Sequence, residues 1–227
     1  MARIVFDLDG TLLNSAPDIC AAGNAALATL PAPRPAPLSL GEATGFIGSG
    51  ADQFVARMRA ARGIDAAAHP ALLATFIDAY EGATGLTRAY PGAVEAIDAL
   101  RAAGHRLGIC TNKPVGPLAA VLDAFDLARR FEVSIGGDTL PVRKPDPAPL
   151  RAALEALGKG PCLFVGDSET DAETARAASV PFLLFTGGYR KAAPRDLPHD
   201  ALFDDHAALP DLVAGMLAGI PDPATAR

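Results

Sequence analysis

Ile4-Val5-Phe6-Asp7-Leu8-Asp9-Gly10-Thr11 is the stretch that decides the fold. Three consecutive apolar residues running into two carboxylates and a glycine read as a short strand buried on both faces, as in a parallel sheet. In parallel α/β sheets the carboxyl ends of the strands carry the chemistry. Two aspartates one residue apart can divide the work there: Asp7 to attack, Asp9 to move protons, with flexible backbone to approach an anion. Most short Asp-x-Asp pairs are only solvated turns, so this reading depends on the rest of the chain.

The same pattern recurs downstream. Apolar runs at 106–110, 133–135, 162–165 and 180–185 predict further strands, and 93–103, 115–125, 147–157 and 171–178 have helical patterns between them. Alternating strands and helices imply an α/β fold with a doubly wound, Rossmann-like parallel sheet. Residues 15–84 break the rhythm with helices predicted at 16–30, 39–46, 51–62 and 70–80. Ser15 is the expected N-cap of the first, with Pro17 and Asp18 in its first turn. The proline-rich 31–37 must be a stiff loop. The expected organisation is therefore a catalytic core of 1–14 plus 85–227 and an inserted small helical cap domain of 15–84, hinged at 12–15 and 82–90. Residues 219–227 carry little apolar content and are expected to fray.

Composition narrows the function classes. The chain has 227 residues, half of them hydrophobic, enough for one core plus a small accessory domain. With a net charge of −6 and no basic stripe, nucleic acid is not an expected partner. No apolar run approaches the roughly 18–20 residues that span a bilayer. Asp7 and Asp9 interrupt the amino-terminal apolar stretch, so neither a leader nor a membrane partner is expected, and a cytoplasmic location is. Cys20, Cys110 and Cys162 are odd in number and far apart, which argues against a disulfide framework or a zinc site. They read as small buried hydrophobes; a nucleophilic Cys110 has no histidine near it in sequence. His69, His105, His199 and His206 lack ligand spacing and are expected at the surface or partly buried.

Three further strand ends join the first. Thr111 and Asn112, in Thr111-Asn112-Lys113, offer a hydroxyl and an amide that can donate to phosphate oxygens; ordinary turn chemistry is the alternative. In Arg143-Lys144-Pro145-Asp146-Pro147 the prolines present Lys144, which beside a carboxylate nucleophile would keep it ionised and neutralise a phosphate, with Arg143 as its rival. In Gly166-Asp167-Ser168-Glu169-Thr170-Asp171 two carboxylates four residues apart share one helix face. With Asp7 they form a hard, oxygen-only set that suits Mg²⁺ better than Zn²⁺.

These four pieces, in this order, resemble the haloacid-dehalogenase-like phosphohydrolase superfamily: Asp7-Leu8-Asp9-Gly10-Thr11 its first motif, Thr111 its second, Lys144 its third and Gly166-Asp167-x-x-x-Asp171 its fourth. The position of the insert resembles the helical cap of that superfamily. The resemblance implies that Asp7 becomes an aspartyl phosphate and that Asp9 protonates the leaving oxygen and then deprotonates water. It implies Mg²⁺ held by Asp7, the Asp9 carbonyl and Asp167, with Asp171 in support. Thr111, Asn112, Lys144 and backbone amides after Asp7 would hold the phosphoryl group. The second motif-one aspartate, Asp9, argues against the dehalogenase and phosphonate-hydrolase branches.

The text Asp7 to Asp18, Phe46-Ile47-Gly48-Ser49-Gly50-Ala51, Tyr90-Pro91-Gly92, Cys110-Thr111-Asn112-Lys113-Pro114 and Gly136-Gly137-Asp138-Thr139-Leu140-Pro141 is most similar to the phosphoglycolate phosphatase branch. Asn14, where an aspartate is common, and the proline-rich loop depart from it. That branch implies a small phosphorylated metabolite as partner; the chain itself is expected to be a monomer or homodimer. Gly48-Ser49-Gly50, opening a helix, is either an anion perch that reads the distal end of the substrate or a plain inter-helix turn. The rival functions are a β-phosphoglucomutase-like transferase, a phosphatase for another sugar phosphate, and a catalytically silent regulator.

Overall fold

The computed structural model describes residues 1–218; the expected tail at 219–227 lies outside them. The central sheet has six parallel strands: β1 (Arg3–Phe6), β4 (Arg106–Cys110), β5 (Val133–Ile135), β6 (Cys162–Gly166), β7 (Phe182–Phe185) and β8 (Ala201–Phe203), in the order β5-β4-β1-β6-β7-β8. The chain builds outward from β1 to β4 and β5, then reverses to lay down β6, β7 and β8. The crevice over β1, β4 and β6 is thus the topological switch point where ligands bind in open α/β sheets.

Burial on both sides explains the unbroken apolar strands. Ile4, Phe6, Leu107, Ile109, Leu163 and Val165 face helices α5 (Ala93–Ala102), α6 (Val115–Ala124) and α9 (Leu209–Ala218). Val5, Cys110, Phe164 and Leu184 face α7 (Ala148–Ala156) and α8 (Glu169–Ala178). At about 1.5–3 kcal/mol for each large side chain removed from water, these two layers are the principal stabilisation of the sheet.

Residues between β1 and the rest of the core form α1 (Ala16–Ala28), α2 (Leu40–Phe46), α3 (Ala51–Ala61) and α4 (His69–Tyr80), packed on a separate apolar cluster that includes Ile19, Leu27, Phe54, Met58, Leu72 and Phe76. Where the chain leaves and re-enters the core, β2 (Leu13–Asn14) pairs antiparallel with β3 (Arg88–Ala89). Beside it, the buried Asp18 carboxylate accepts from the backbone N–H groups of Leu86 and Thr87 and from the Thr87 hydroxyl.

Several local expectations change. Ser15 does not cap α1; its hydroxyl donates to Asp9 instead, because the chain reversal at 10–15 brings it to the strand end. His206, expected at the surface or partly buried, is fully buried among Tyr90, Phe185 and Phe203, with Nε2 2.9 Å from the Thr11 carbonyl oxygen. Strands β2, β3 and β8 and helix α9 have no counterpart in the sequence reading. No helix of the described residues is long and apolar enough to cross a membrane.

Candidate active site

The ends of β1, β4 and β6 bring Asp7, Asp9, Thr111, Asp167 and Asp171 to one crevice, and the loop before α7 delivers Lys144. Asp7, Asp167 and Asp171 are buried, and one ligand oxygen from each lies within 4.8 Å of the others. Lys144 reaches into this set: its Nζ is 3.0 Å from Asp7 Oδ1 and donates to Asp171 Oδ1 at 2.6 Å. Arg143, the rival for this role, packs against Gly50 instead.

Each carboxylate is held by its backbone surroundings. Asp171 Oδ2 accepts from the N–H and hydroxyl of Ser168, and its own N–H donates to the Ser168 hydroxyl, a capping box that starts α8. Capping occupies one oxygen of Asp171 and leaves the other for Lys144. Asp167 accepts from the Thr11 hydroxyl at 2.7 Å and from the Tyr189 N–H at 2.6 Å. Gly10, with φ +88°, passes close to Asp167: a Cβ there would lie 2.5 Å from Asp167 Oδ2. The stretch Asp7-Leu8-Asp9-Gly10-Thr11 therefore supplies the close approach as well as the carboxylates.

Asp7 and Asp9 share one arrangement. Asp7 Oδ1 accepts from the Leu8 N–H and faces Lys144, while Asp9 Oδ1 accepts from the Ser15 hydroxyl at 2.6 Å and from Lys113 Nζ at 3.3 Å. In both residues these contacts fall on Oδ1 and leave Oδ2 open among the described residues. Both line the same crevice.

The charges are unbalanced. Burial, and then Asp171 beside it, push the Asp7 carboxyl up to about 7 despite Lys144. Burial and Asp171 likewise hold the Asp167 carboxyl well above the ordinary range. Burial opposes the Lys144 ammonium, but Asp171 and Asp7 outweigh it and raise its pKa. Three carboxylates face one ammonium, so ionising all of them would leave two negative charges, the state that a divalent cation would favour over the protonated one. An all-oxygen donor set of this kind fits a hard divalent ion.

The Thr111 hydroxyl accepts the Lys113 N–H, which keeps its own proton free for a ligand. Asn112 differs from its expected role. Its amide donates to the carbonyls of Gly48 and Lys144, so it ties the loop between α2 and α3 to the lysine segment rather than offering protons to an anion. Gly48 and Gly50 line the crevice beside Asp7 and Asp9, and the Ser49 hydroxyl accepts from Arg57. Cys110 is buried, and burial pushes its thiol up to about 12, so it is no nucleophile at neutral pH.

Two residues at the site escaped the sequence reading. Lys113 is buried between Asp9 and Tyr80 of α4, whose hydroxyl its Nζ also meets. Tyr189 holds Asp167 through its backbone, and its hydroxyl accepts from the N–H groups of Ser15 and Ala16 at the start of α1. Lys113 stood inside a quoted motif; Tyr189 follows Gly187-Gly188 in a loop with no distinguishing pattern.

Comparison with known proteins agrees with this geometry. The haloacid dehalogenase-like hydrolase family model matches residues 1–179, and a second, HAD-hydrolase-like, model matches 141–219. A phosphoglycolate phosphatase of Cereibacter sphaeroides (strain ATCC 17029) is 52% identical over 221 residues, covering 96% of this chain and 100% of the relative. One from Rhodospirillum rubrum is 43% identical, covering 97% and 92%. A crystal structure of a predicted phosphoglycolate phosphatase from Haemophilus somnus 129pt superposes with a TM-score of 0.83 at 33% identity, covering 92% of this chain and 96% of that one. With four motif ends converging on one acidic crevice and a family model matched over most of its length, the chain belongs to the haloacid dehalogenase-like hydrolase family.

Proposed function

We propose that this chain is an Mg²⁺-dependent phosphomonoesterase that hydrolyses 2-phosphoglycolate to glycolate and phosphate through an aspartyl phosphate on Asp7. One observation carries the mechanism: Asp7 and Asp9 each have one oxygen fixed and the other open to a shared crevice, beside a buried cluster in which three carboxylates face one ammonium. The substrate rests on the name borne by relatives that match along almost their whole length.

Asp7 Oδ2 attacks phosphorus as the ester P–O bond breaks, and protonated Asp9 gives its proton to the departing glycolate oxygen. Asp9 then takes a proton from a water that attacks the same phosphorus, and the bond to Asp7 breaks. Ser15 and Lys113 hold Asp9 on its other oxygen, so the reacting one stays aimed at the crevice. Thr111 and Lys144 bind the phosphoryl oxygens as charge builds on them. Asp7, the Asp9 carbonyl and Asp167, with Asp171 in support, would hold Mg²⁺, which when bound supplies charge neutralisation between the nucleophile and the phosphate.

In this reading residues 15–84 act as a cap that moves on the core about the β2–β3 crossings and closes the crevice against water, with Gly48-Ser49-Gly50 as its contacting edge. The three free cysteines fit a reducing cytoplasm. The test is phosphate release from 2-phosphoglycolate and a panel of small phosphomonoesters, with and without chelator, using Asp7→Asn as control. Preference for phosphoglycolate, lost with chelator and in Asp7→Asn, is expected. Equal turnover across sugar phosphates would overturn the substrate, and metal-independent release would overturn the mechanism.

A further inference from the structure

We propose that Lys113 is the residue that recognises the carboxylate of the leaving group and so selects a glycolyl ester over neutral esters of the same size. This rests on the phosphoglycolate reading above and assigns the residue that enforces it.

The crevice under α3 and α4 encloses a cavity of about 50 Å³. Ile19, Ile47, Phe54 and Phe76 form apolar wall, and among the described residues Lys113 is the one basic side chain lining this cavity, while Arg57 and Lys191 line the adjoining part of the crevice. Of these, the Arg57 guanidinium is engaged by the Phe46 carbonyl and the Ser49 hydroxyl. Lys113 is buried, and two contacts occupy its ammonium: Asp9 Oδ1 at 3.3 Å and the Tyr80 hydroxyl. A lysine ammonium has three protons. One remains for a ligand.

Position selects the ligand's chemistry. Asp9 must touch the ester oxygen that it protonates. In a glycolyl ester a single methylene separates that oxygen from the carboxylate, so the anion cannot lie far from Asp9. Lys113 is the cation paired with Asp9, its Nζ 3.3 Å from Asp9 Oδ1. The Ser49 hydroxyl is already engaged by Arg57, and the Asn112 amide by two carbonyls, so neither competes for the role. Leaving a buried ammonium opposite a neutral group of the same shape is costly, which makes it a strong discriminator.

The experiment compares kcat/KM for 2-phosphoglycolate and its isosteric amide, 2-phosphoglycolamide, in the wild type, Lys113→Gln and Tyr80→Phe, each checked for folding by circular dichroism. The wild type is expected to favour the acid by on the order of 100-fold. Lys113→Gln is expected to bring the ratio to within about threefold of unity, whatever it does to the absolute rates through Asp9. Tyr80→Phe, which removes a competitor for the ammonium, should keep or raise the wild-type ratio. An unchanged ratio in folded Lys113→Gln, equal falls for both substrates, or a collapsed ratio in Tyr80→Phe would overturn the assignment. Failure of the parent reading looks different: the wild type itself would release no phosphate from phosphoglycolate, or would not prefer the acid.

Discussion

Lys144 Nζ lies 2.6 Å from Asp171 Oδ1, and both side chains are buried. Because Asp171 also caps α8 through Ser168, this ion pair fixes the lysine loop to the end of β6 and holds the ammonium 3.0 Å from Asp7. Lys144→Met should strand the carboxylates it faces and cost about 3–5 kcal/mol of stability in chelator. Added Mg²⁺ should restore part of the loss, and kcat should fall by at least about 100-fold. Thermal melts with and without metal, beside steady-state kinetics, check both parts.

The Asp7 carboxyl gives a pH signature. Its ordinary value is 3.8 and the folded chain pushes it up to about 7, burial first and Asp171 second. The folded state thus favours the protonated form, and the ionised carboxylate weighs against folding increasingly as pH rises through this window. Asp7→Asn removes that cost. In chelator, its melting temperature minus that of the wild type should increase from pH 5 to about pH 7 and level off above. Saturating Mg²⁺ should shrink the difference, because a cation stabilises the ionised form.

Gly10→Ala tests the close approach beneath the cluster. A Cβ at φ +88° would meet Asp167 Oδ2 at 2.5 Å and the Tyr189 ring at 2.8 Å. The substitution should lower metal affinity by at least about tenfold, in line with losses on disturbing the partners of a metal ligand. Calorimetric titration with Mg²⁺ reads this directly.

Tyr189→Phe separates two duties. The backbone N–H to Asp167 survives, whereas the acceptor for the Ser15 and Ala16 N–H groups is lost. Metal affinity should stay within about twofold, while stability should fall by about 1–3 kcal/mol for the donors left unsatisfied. Chemical denaturation and metal titration of the same variant distinguish the two.

How much of this was legible follows from the physics of each signal. Strands β1, β4 and β6 were readable because burial on both faces makes their sequences continuously apolar. Strands β2 and β3, two residues each, are too short to carry a period. Ser15 precedes a helix and so read as a cap, but its preferred partner Asp9 is adjacent only after the chain turns back. Asp7, Asp167 and Asp171 meet because strand ends converge, which motif order anticipates. Asn112 could not be assigned from a Thr-Asn turn, since its partners Gly48 and Lys144 are distant in sequence. Lys113 gave no sign of burial, because nothing local distinguishes it from a solvated lysine; the aromatic hydroxyl over it comes from α4.

Chemical trapping reads directly whether Asp7 carries the phosphoryl group. Wild-type protein mixed with 2-phosphoglycolate and Mg²⁺ is quenched into borohydride, which reduces an acyl phosphate to the alcohol, and its peptides are examined by mass spectrometry. Substrate-dependent conversion of Asp7 to homoserine is expected in the wild type, with less in Asp9→Asn, which lacks the proton for the leaving oxygen. Conversion at another residue, or full wild-type turnover with no trapped Asp7, would contradict an aspartyl phosphate on Asp7.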